Sequence, residues 1–173
     1  MKLLFVSDIH GVPAALKKFL AAAEKLAHDR IVLLGDALYH GPRNGVPPLY
    51  DPKEVAALLN AHKSEMVAVR GNCDSEVDQM MLEFPVMADF AEILTPQARF
   101  FVTHGHRWNE KNLPPVPAGT ILVHGHTHIP VLRELEDSGI TVFNPGSISL
   151  PKGGHAPSFG YYDGSKLQIV PLD

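Results

Sequence analysis

Six of the ten histidines in this sequence lie in three short segments, beside other residues that can bind a metal ion. The segments are Asp8-Ile9-His10, His104-Gly105-His106 and His124-Gly125-His126-Thr127-His128. Two further pairs, Gly35-Asp36 and Gly71-Asn72, follow apolar runs in the same way. Because ligands of open α/β sheets gather beyond the carboxyl ends of strands, we expect these side chains to meet in one place.

The donor atoms in these segments indicate the kind of ion. Two carboxylates, one amide and four imidazoles are available from Asp8, His10, Asp36, Asn72, His104, His126 and His128. Such a nitrogen and oxygen set suits Mn²⁺, Fe²⁺, Zn²⁺, Ni²⁺ or Co²⁺ better than Ca²⁺ or Mg²⁺. Cys73 is the only cysteine, which excludes a thiolate cage and an internal disulfide. This many ligands fits two ions sharing a carboxylate, the usual means of in-line displacement at phosphorus.

The spacing of these residues predicts how they converge. In an extended chain, side chains two residues apart point to the same side. Asp8 with His10, and His126 with His128, should therefore each offer two groups to one place. The glycines beside them should let the backbone pass close to an ion without a clash from a Cβ atom.

Apolar runs and two helical patterns predict the elements that position these residues. Helices are expected over about 12–28 and from Asp51-Pro52-Lys53-Glu54 onward, where an N-cap, a proline and a capping glutamate coincide. Strands are expected at 2–7, 31–34, 66–69, 91–94, 99–103, 121–124, 131–135, 141–143, 159–163 and 167–170. The first half alternates strands and helices, which favours a parallel sheet, and the second half is rich in strands. We expect one domain over residues 1–173, built from two packed sheets with helices outside.

Composition limits the class of protein. A hydrophobic fraction of 45% and a charged fraction of 20% are typical of a globular protein. A formal net charge of −4 disfavours extended contact with nucleic acid but is compatible with a small phosphorylated substrate. The first apolar run is too short for a signal peptide, and no stretch approaches the roughly 18–20 apolar residues of a membrane span. We therefore expect a cytoplasmic protein without a membrane partner.

The order of these motifs resembles that of the calcineurin-like metallophosphoesterase family. The family pattern is Asp-x-His, Gly-Asp with a glycine five residues later, Gly-Asn-His-Asp/Glu, a single His, and Gly-His-x-His. The matching segments are Asp8-Ile9-His10, Gly35-Asp36 with Gly41, Gly71-Asn72-Cys73-Asp74, His104 and Gly125-His126-Thr127-His128. The resemblance covers nearly the whole chain and is strongest to small, cap-less bacterial phosphodiesterases of the YfcE type.

The resemblance implies an α/β fold, a four-layer αββα sandwich in which helices flank two mainly mixed sheets. It also implies a dinuclear centre, often served by Mn²⁺, at which a metal-bridged hydroxide attacks a small phosphodiester in line. By resemblance, one ion is held by Asp8, His10 and His128, the other by Asn72, His104 and His126, and Asp36 bridges the two.

One position departs from the family pattern. Cys73 stands where the family usually has a histidine near the leaving group, so the general acid is left open among Cys73, Asp74, His106 and His40. The predicted catalytic residues are Asp36, Asn72, Cys73, Asp74 and His106. His124 is expected to be structural.

Two other functions fit the same motifs. A phosphomonoesterase is compatible with an open site. A protein-interaction scaffold on the same fold, like the retromer subunit that resembles these enzymes, is disfavoured because every expected ligand type is present. The physiological substrate, the native metal and a homo-oligomeric state stay open, as do the roles of Arg43, Asn144 and Ser147.

Overall fold

Within residues 1–172, ten strands and three helices follow one another much as the apolar runs predict. The structure is a computed structural model that describes these residues, so Asp173, the last residue of the expected domain, lies outside the described range. The strands are β1 (Leu3–Val6), β2 (Arg30–Leu33), β3 (Met66–Ala68), β4 (Phe90–Leu94), β5 (Arg99–Thr103), β6 (Thr120–Val123), β7 (Val131–Leu135), β8 (Ile140–Asn144), β9 (Ser158–Tyr162) and β10 (Leu167–Pro171). The helices are α1 (Pro13–Ala23), α2 (Pro52–Asn60) and α3 (Glu76–Met81).

The strands form two mixed five-stranded sheets. The first has the order β10-β9-β1-β2-β3, in which β1, β2 and β3 are parallel and β9 and β10 antiparallel to their neighbours. The second has the order β4-β5-β6-β8-β7, with a parallel centre and an antiparallel strand at each edge. The candidate ligands follow the carboxyl ends of β1, β2, β3, β5 and β6, which confirms the expected placement of their segments.

Strand β1 is buried on both faces, which explains its unbroken apolar sequence. Phe5 points into the core between the sheets, where its ring centroid lies 5.7 Å from that of Phe100 and 5.5 Å from that of Phe143. Leu4 and Val6 point the other way, into the apolar cluster that includes side chains of α1 and α2. The first sheet is thus fixed between the helices and the second sheet, and the loops beyond its strands have a rigid base.

Helix α1 ends earlier than predicted, whereas α2 begins where predicted. Helix α1 ends at Ala23, because Lys25 and Leu26 donate to carbonyls three residues back and tighten the chain into turns. Helix α2 begins as predicted, with Asp51 Oδ1 accepting a hydrogen bond of 3.0 Å from the Glu54 backbone N–H. No helix among residues 1–172 is long and apolar enough to cross a membrane.

Helix α3 was not predicted, although the sequence carries a signal for it. Ser75 and Asp78 form a capping box, in which the Asp78 carboxylate accepts from both the backbone N–H and the hydroxyl of Ser75. A serine followed three residues later by an acidic residue is the local pattern of a helix start.

The outer face of the second sheet is covered differently from the first. Phe101, Leu122 and Ile140 pack there against Trp108 and Val116, from the connection between β5 and β6. Within the described chain this layer contains no helix. The two mixed sheets and the helices on the first confirm the predicted fold class, and irregular chain takes the place of helices in the fourth layer.

Candidate metal centre

Five of the seven candidate ligands have a left-handed backbone. The φ angles are 56° at Asp8, 49° at His10, 54° at Asp36, 68° at His126 and 61° at His128. Leu49 is the only other non-glycine residue of the described chain with a positive φ. Such a conformation costs about 1–3 kcal/mol per residue and persists only where the surrounding structure fixes it.

The hydrogen bonds between two loops impose this conformation on the segment after β1. The backbone N–H of Asp8 donates to Gly35 O at 3.2 Å, and that of His10 to Asp36 O at 2.9 Å. The predicted extended backbone is therefore wrong at these residues. The side chains of Asp8 and His10 converge all the same, with Oδ1 and Nε2 3.7 Å apart.

The two carboxylate oxygens of Asp8 have different surroundings. Oδ2 accepts from Ser7 Oγ at 2.6 Å and from the His126 backbone N–H at 3.0 Å. Oδ1 is buried, has no hydrogen-bond donor among residues 1–172, and lies 3.3 Å from His128 Nε2. Burial opposes ionisation, but His10 and His128 hold the pKa of Asp8 well below its ordinary value. A buried, ionised oxygen without a donor fits a cation.

Three histidine rings are oriented by backbone carbonyls. Their Nδ1 atoms lie at hydrogen-bond distance from a carbonyl oxygen: His10 from Tyr39 at 2.9 Å, His104 from Leu34 at 2.7 Å and His128 from Leu150 at 2.6 Å. A carbonyl oxygen only accepts, so each Nδ1 carries the proton and each Nε2 is directed at the site. This is the orientation that metal-binding histidines usually have.

Asp36 lies between two of these rings. Its Oδ2 is 3.7 Å from His10 Nε2 and 3.5 Å from His104 Nε2, while Oδ1 accepts from the Cys73 backbone N–H at 2.9 Å. Burial raises the pKa of Asp36, but the combined effect of His104 and the Cys73 backbone N–H outweighs burial and lowers the pKa overall. Burial likewise opposes protonation of His104, but the nearby carboxylates of Asp36 and Asp8, with the Leu34 carbonyl, together raise the pKa of His104 to about 9. The metal-free site thus attracts positive charge.

Asn72 and His126 lie on the same side of Asp36 as His104. Asn72 Oδ1 is 3.0 Å from His104 Nε2, and its Nδ2 donates to Cys73 Sγ at 3.2 Å. The ring centroids of His104 and His126 are 5.1 Å apart. Burial, reinforced by the neighbouring His104, lowers the pKa of His126 to about 4, so this imidazole is neutral at pH 7.

The other predicted catalytic residues have distinct positions. Burial and the charge of Asp36 raise the pKa of Cys73 to about 12, so its thiol stays protonated. Asp74 accepts three backbone hydrogen bonds, from Asp36, Ala37 and Gly71, at 2.7–3.0 Å. Both its oxygens are therefore used in joining the loops after β2 and β3.

His106 lies beside the centre. Its ring centroid is 5.5 Å from that of His104, and its Nδ1 is buried without a hydrogen-bond partner in the described chain. Burial, followed by the charge of His104, lowers the pKa of His106, so the imidazole is neutral at pH 7. A neutral imidazole is a better acceptor than donor of a proton.

Two polar residues with open roles hold the ligand loops in place. Asn144 is buried, and its Nδ2 donates to Gly125 O at 2.8 Å and to Thr127 Oγ1 at 3.0 Å. Ser147 is also buried and donates to Asp8 O at 2.8 Å. Both therefore position ligands. Buried His124 turns its Nδ1 to Gly125 O at 3.0 Å, which agrees with a structural role.

Glycines make room for carboxylates at two points. A Cβ atom on Gly71 would lie 2.0 Å from Asp36 Oδ1, and one on Gly125 would lie 2.7 Å from Asp8 Oδ2. The glycines were expected to let the backbone approach an ion, whereas here they accommodate the candidate ligands themselves.

A cleft of about 590 Å³ opens over these residues. Its walls include Asp36, Asn72, Cys73, His126 and His128, and also Tyr39, Arg43, Asn44 and Lys152. No role was predicted for Tyr39 or Lys152. The backbone N–H of Lys152 donates to His128 O at 3.1 Å, a long-range contact for which the sequence has no local signal.

Comparison with known proteins agrees with this geometry. Residues 1–166 match the calcineurin-like phosphoesterase superfamily domain. The chain belongs to this superfamily. It is therefore an enzyme of the phosphoesterase class, as the order of its motifs predicts.

Individual relatives match over nearly the whole chain. It is 46% identical to phosphodiesterase YfcE of Escherichia coli K12, over 100% of this chain and 93% of the relative. A solved structure of the E. coli protein superposes with a TM-score of 0.96 at 45% identity, covering 100% and 94% of the two chains. Phosphodiesterase MJ0936 of Methanocaldococcus jannaschii is 25% identical, over 97% of this chain and 96% of the relative. Vps29 of Entamoeba histolytica, 21% identical with a TM-score of 0.62 and complete coverage of both chains, shares the fold.

Proposed function

We propose that this protein hydrolyses small phosphodiesters at a centre of two divalent metal ions, with Mn²⁺ the expected metal and Zn²⁺, Fe²⁺, Ni²⁺ or Co²⁺ compatible with the same donors. The position of Asp36 carries this proposal, since one carboxylate oxygen faces both His10 and His104. One ion would be held by Asp8, His10 and His128, the other by Asn72, His104 and His126, with Asp36 shared.

The surrounding residues suit an anionic phosphate ester. When bound, two divalent ions supply the attacking hydroxide and polarise the phosphoryl oxygens. Asp8 and Asp36 offset part of the metal charge, so the net positive charge left at the site matches an anion such as a phosphodiester. Arg43 and Lys152 line the cleft and add positive charge there. Arg43 can also hold a phosphoryl oxygen through its guanidinium N–H groups.

Similarity favours a diester over a monoester. Two relatives that align over nearly their whole length are phosphodiesterases, and one of them is 46% identical to this chain. Turnover of bis(4-nitrophenyl) phosphate and of 4-nitrophenyl phosphate, which share a leaving group, separates the two activities. A higher kcat/KM for the monoester would contradict the assignment to diesters.

Asp36→Asn tests the shared carboxylate. Loss of an outer-shell partner of a metal typically costs about 10–100-fold, so loss of the bridging charge should cost at least on the order of 100-fold in turnover. Metal content should fall towards one ion per chain. His106→Ala, which changes a residue beside the centre, should cost less. Two ions and normal turnover in Asp36→Asn would contradict the assignment.

A further inference from the structure

A second cavity, of about 500 Å³, adjoins the cleft and shares two of its walls, Tyr39 and Cys73. Cys73 Sγ lies within 4.8 Å of candidate ligand atoms of His10 and Asp36, so this cavity begins at the edge of the metal centre. Tyr39 is tied to the same centre, because its carbonyl oxygen accepts from His10 Nδ1. The two cavities therefore lie side by side at these two residues.

The second cavity is apolar. Its walls include Leu38, Tyr39, Tyr50, Pro52, Val77 and Met81. Ser75 and Asp78 also line it, and the Ser75 hydroxyl donates to Asp78 Oδ2 at 2.8 Å. Lys53 is exposed, so its ammonium group can stay in water while its alkyl stem adds apolar surface.

Side chains that normally avoid water are exposed around this cavity. Val77 is 65% exposed, and Met81 and Tyr39 are each 41% exposed. Apolar side chains gathered at the mouth of a site, next to a few placed polar groups, are typical of ligand-binding pockets.

The aromatic rings on one wall suit a flat ligand. Tyr39 and Tyr50 form this wall, and the ring of His40, outside the cavity, packs against both, with centroids 4.6 Å from Tyr39 and 5.2 Å from Tyr50. On the wall formed by α3, Met81 offers a flexible thioether, which packs well against aromatic rings. Contact with these side chains would favour an aryl group over a methyl group as the substituent of a bound ligand.

We propose that this cavity binds an aromatic or other flat apolar substituent of the substrate while the phosphoryl group lies at the metal centre. This rests on the proposed function. The cavity would then determine specificity, by making diesters with an aryl or similarly flat substituent bind more tightly than small alkyl diesters.

Phosphonates test the cavity without turnover, because their single organic substituent is attached by a P–C bond that is not hydrolysed. The dissociation constants of phenylphosphonate and methylphosphonate are measured by calorimetry on Mn²⁺-loaded protein. The test variant carries Met81→Gln and Val77→Asn together, which makes two exposed side chains of the cavity wall polar. The matched control is Met80→Gln, since Met80 is on the same helix, is 81% exposed and does not line the cavity.

We expect wild type and Met80→Gln to bind phenylphosphonate at least about fivefold more tightly than methylphosphonate, and the double variant to lose most of this preference. Equal binding of the two ligands by wild type, or an unchanged preference in the double variant, would overturn the proposed role of the cavity. Neither result would bear on the proposed metal centre. Absence of binding for both ligands would overturn both proposals. Analytical ultracentrifugation shows whether wild type is a dimer. If it is, and the double variant loses both the preference and the dimer, this surface would be assigned to self-association instead.

Discussion

The Nε2 atoms of His10 and His128 lie 3.3 Å apart, beside Asp8 Oδ1, which is buried and has no hydrogen-bond donor among residues 1–172. Because a backbone carbonyl holds the Nδ1 proton of each ring, both Nε2 atoms present a lone pair in the neutral form. Two lone pairs at this distance repel each other unless a positive charge lies near them. A proton can supply that charge in the metal-free protein, and a divalent ion supplies more of it.

His128→Ala should therefore remove one metal site. Ligands that bind only the folded state stabilise it by about 2.7 kcal/mol at 100 times the dissociation constant. The variant should lose much of the Mn²⁺-dependent rise in melting temperature and bind about one ion fewer per chain. His155→Ala, at an exposed histidine outside the cleft, is the control. Wild-type metal content and an unchanged Mn²⁺ effect in His128→Ala would argue against its role as a ligand.

Gly125→Ala should displace a ligand without altering any donor atom. The new Cβ would lie 1.9 Å from Ser7 Oγ and 2.7 Å from Asp8 Oδ2, so the Asp8 carboxylate must move. Overpacking of this kind costs about 1–3 kcal/mol of stability. We expect metal content and diester turnover to fall together, measured well below the melting temperature.

The control for that change is Gly154→Ala. Gly154, unlike Gly125, has a positive φ, of 76°, and apart from its chain neighbours a Cβ there would meet no atom of residues 1–172 within 4 Å. It should lower stability slightly through backbone strain and leave metal content unchanged. Normal metal binding by Gly125→Ala would show that Asp8 does not need its present position.

Cys73→His should raise the rate most for poor leaving groups. A positioned general acid contributes about 10²–10⁴-fold. The Cys73 thiol, whose pKa is raised to about 12, is a weak proton donor. The wild type should therefore prefer activated aryl diesters and be slow on alkyl or nucleoside diesters. The measurement is the dependence of log(kcat/KM) on leaving-group pKa in both proteins.

A flatter dependence in Cys73→His would indicate that a missing acid has been restored. Parallel lines would mean that another group already donates the proton. Asp74 is a poor candidate for that group, because its oxygens accept three backbone hydrogen bonds. His106 lies half-buried beside His104, but its imidazole is neutral at pH 7, so it could donate only after gaining a proton.

Strand positions and the gathering of the ligand segments were predictable from the sequence. The ten predicted strands match the ten observed ones to within one residue at each end. Strands buried on both faces, such as β1, are the clearest, because they need an unbroken run of apolar side chains. Polar residues directly after these strands gather because the carboxyl ends of parallel strands meet at one edge of a sheet. The Asp51 cap was predictable because its hydrogen bond joins residues three apart in sequence.

Features that depend on distant contacts were not predictable. The left-handed backbone at Asp8 and His10 is imposed by carbonyls of Gly35 and Asp36, which lie on another loop. The role of Asp74 likewise depends on backbone N–H groups 37 and 38 residues away. The end of α1 was misplaced because apolar spacing continues past Ala23 where the hydrogen bonds of the helix do not.

The most direct test of the two-metal site is a titration of Mn²⁺ into chelator-stripped protein, with bound metal and bis(4-nitrophenyl) phosphate turnover measured on the same samples. We predict negligible turnover in the stripped protein, a rise that ends at two ions per chain, and weaker recovery with Mg²⁺. Full turnover without metal, or a rise that ends at one ion per chain, would contradict the proposed centre.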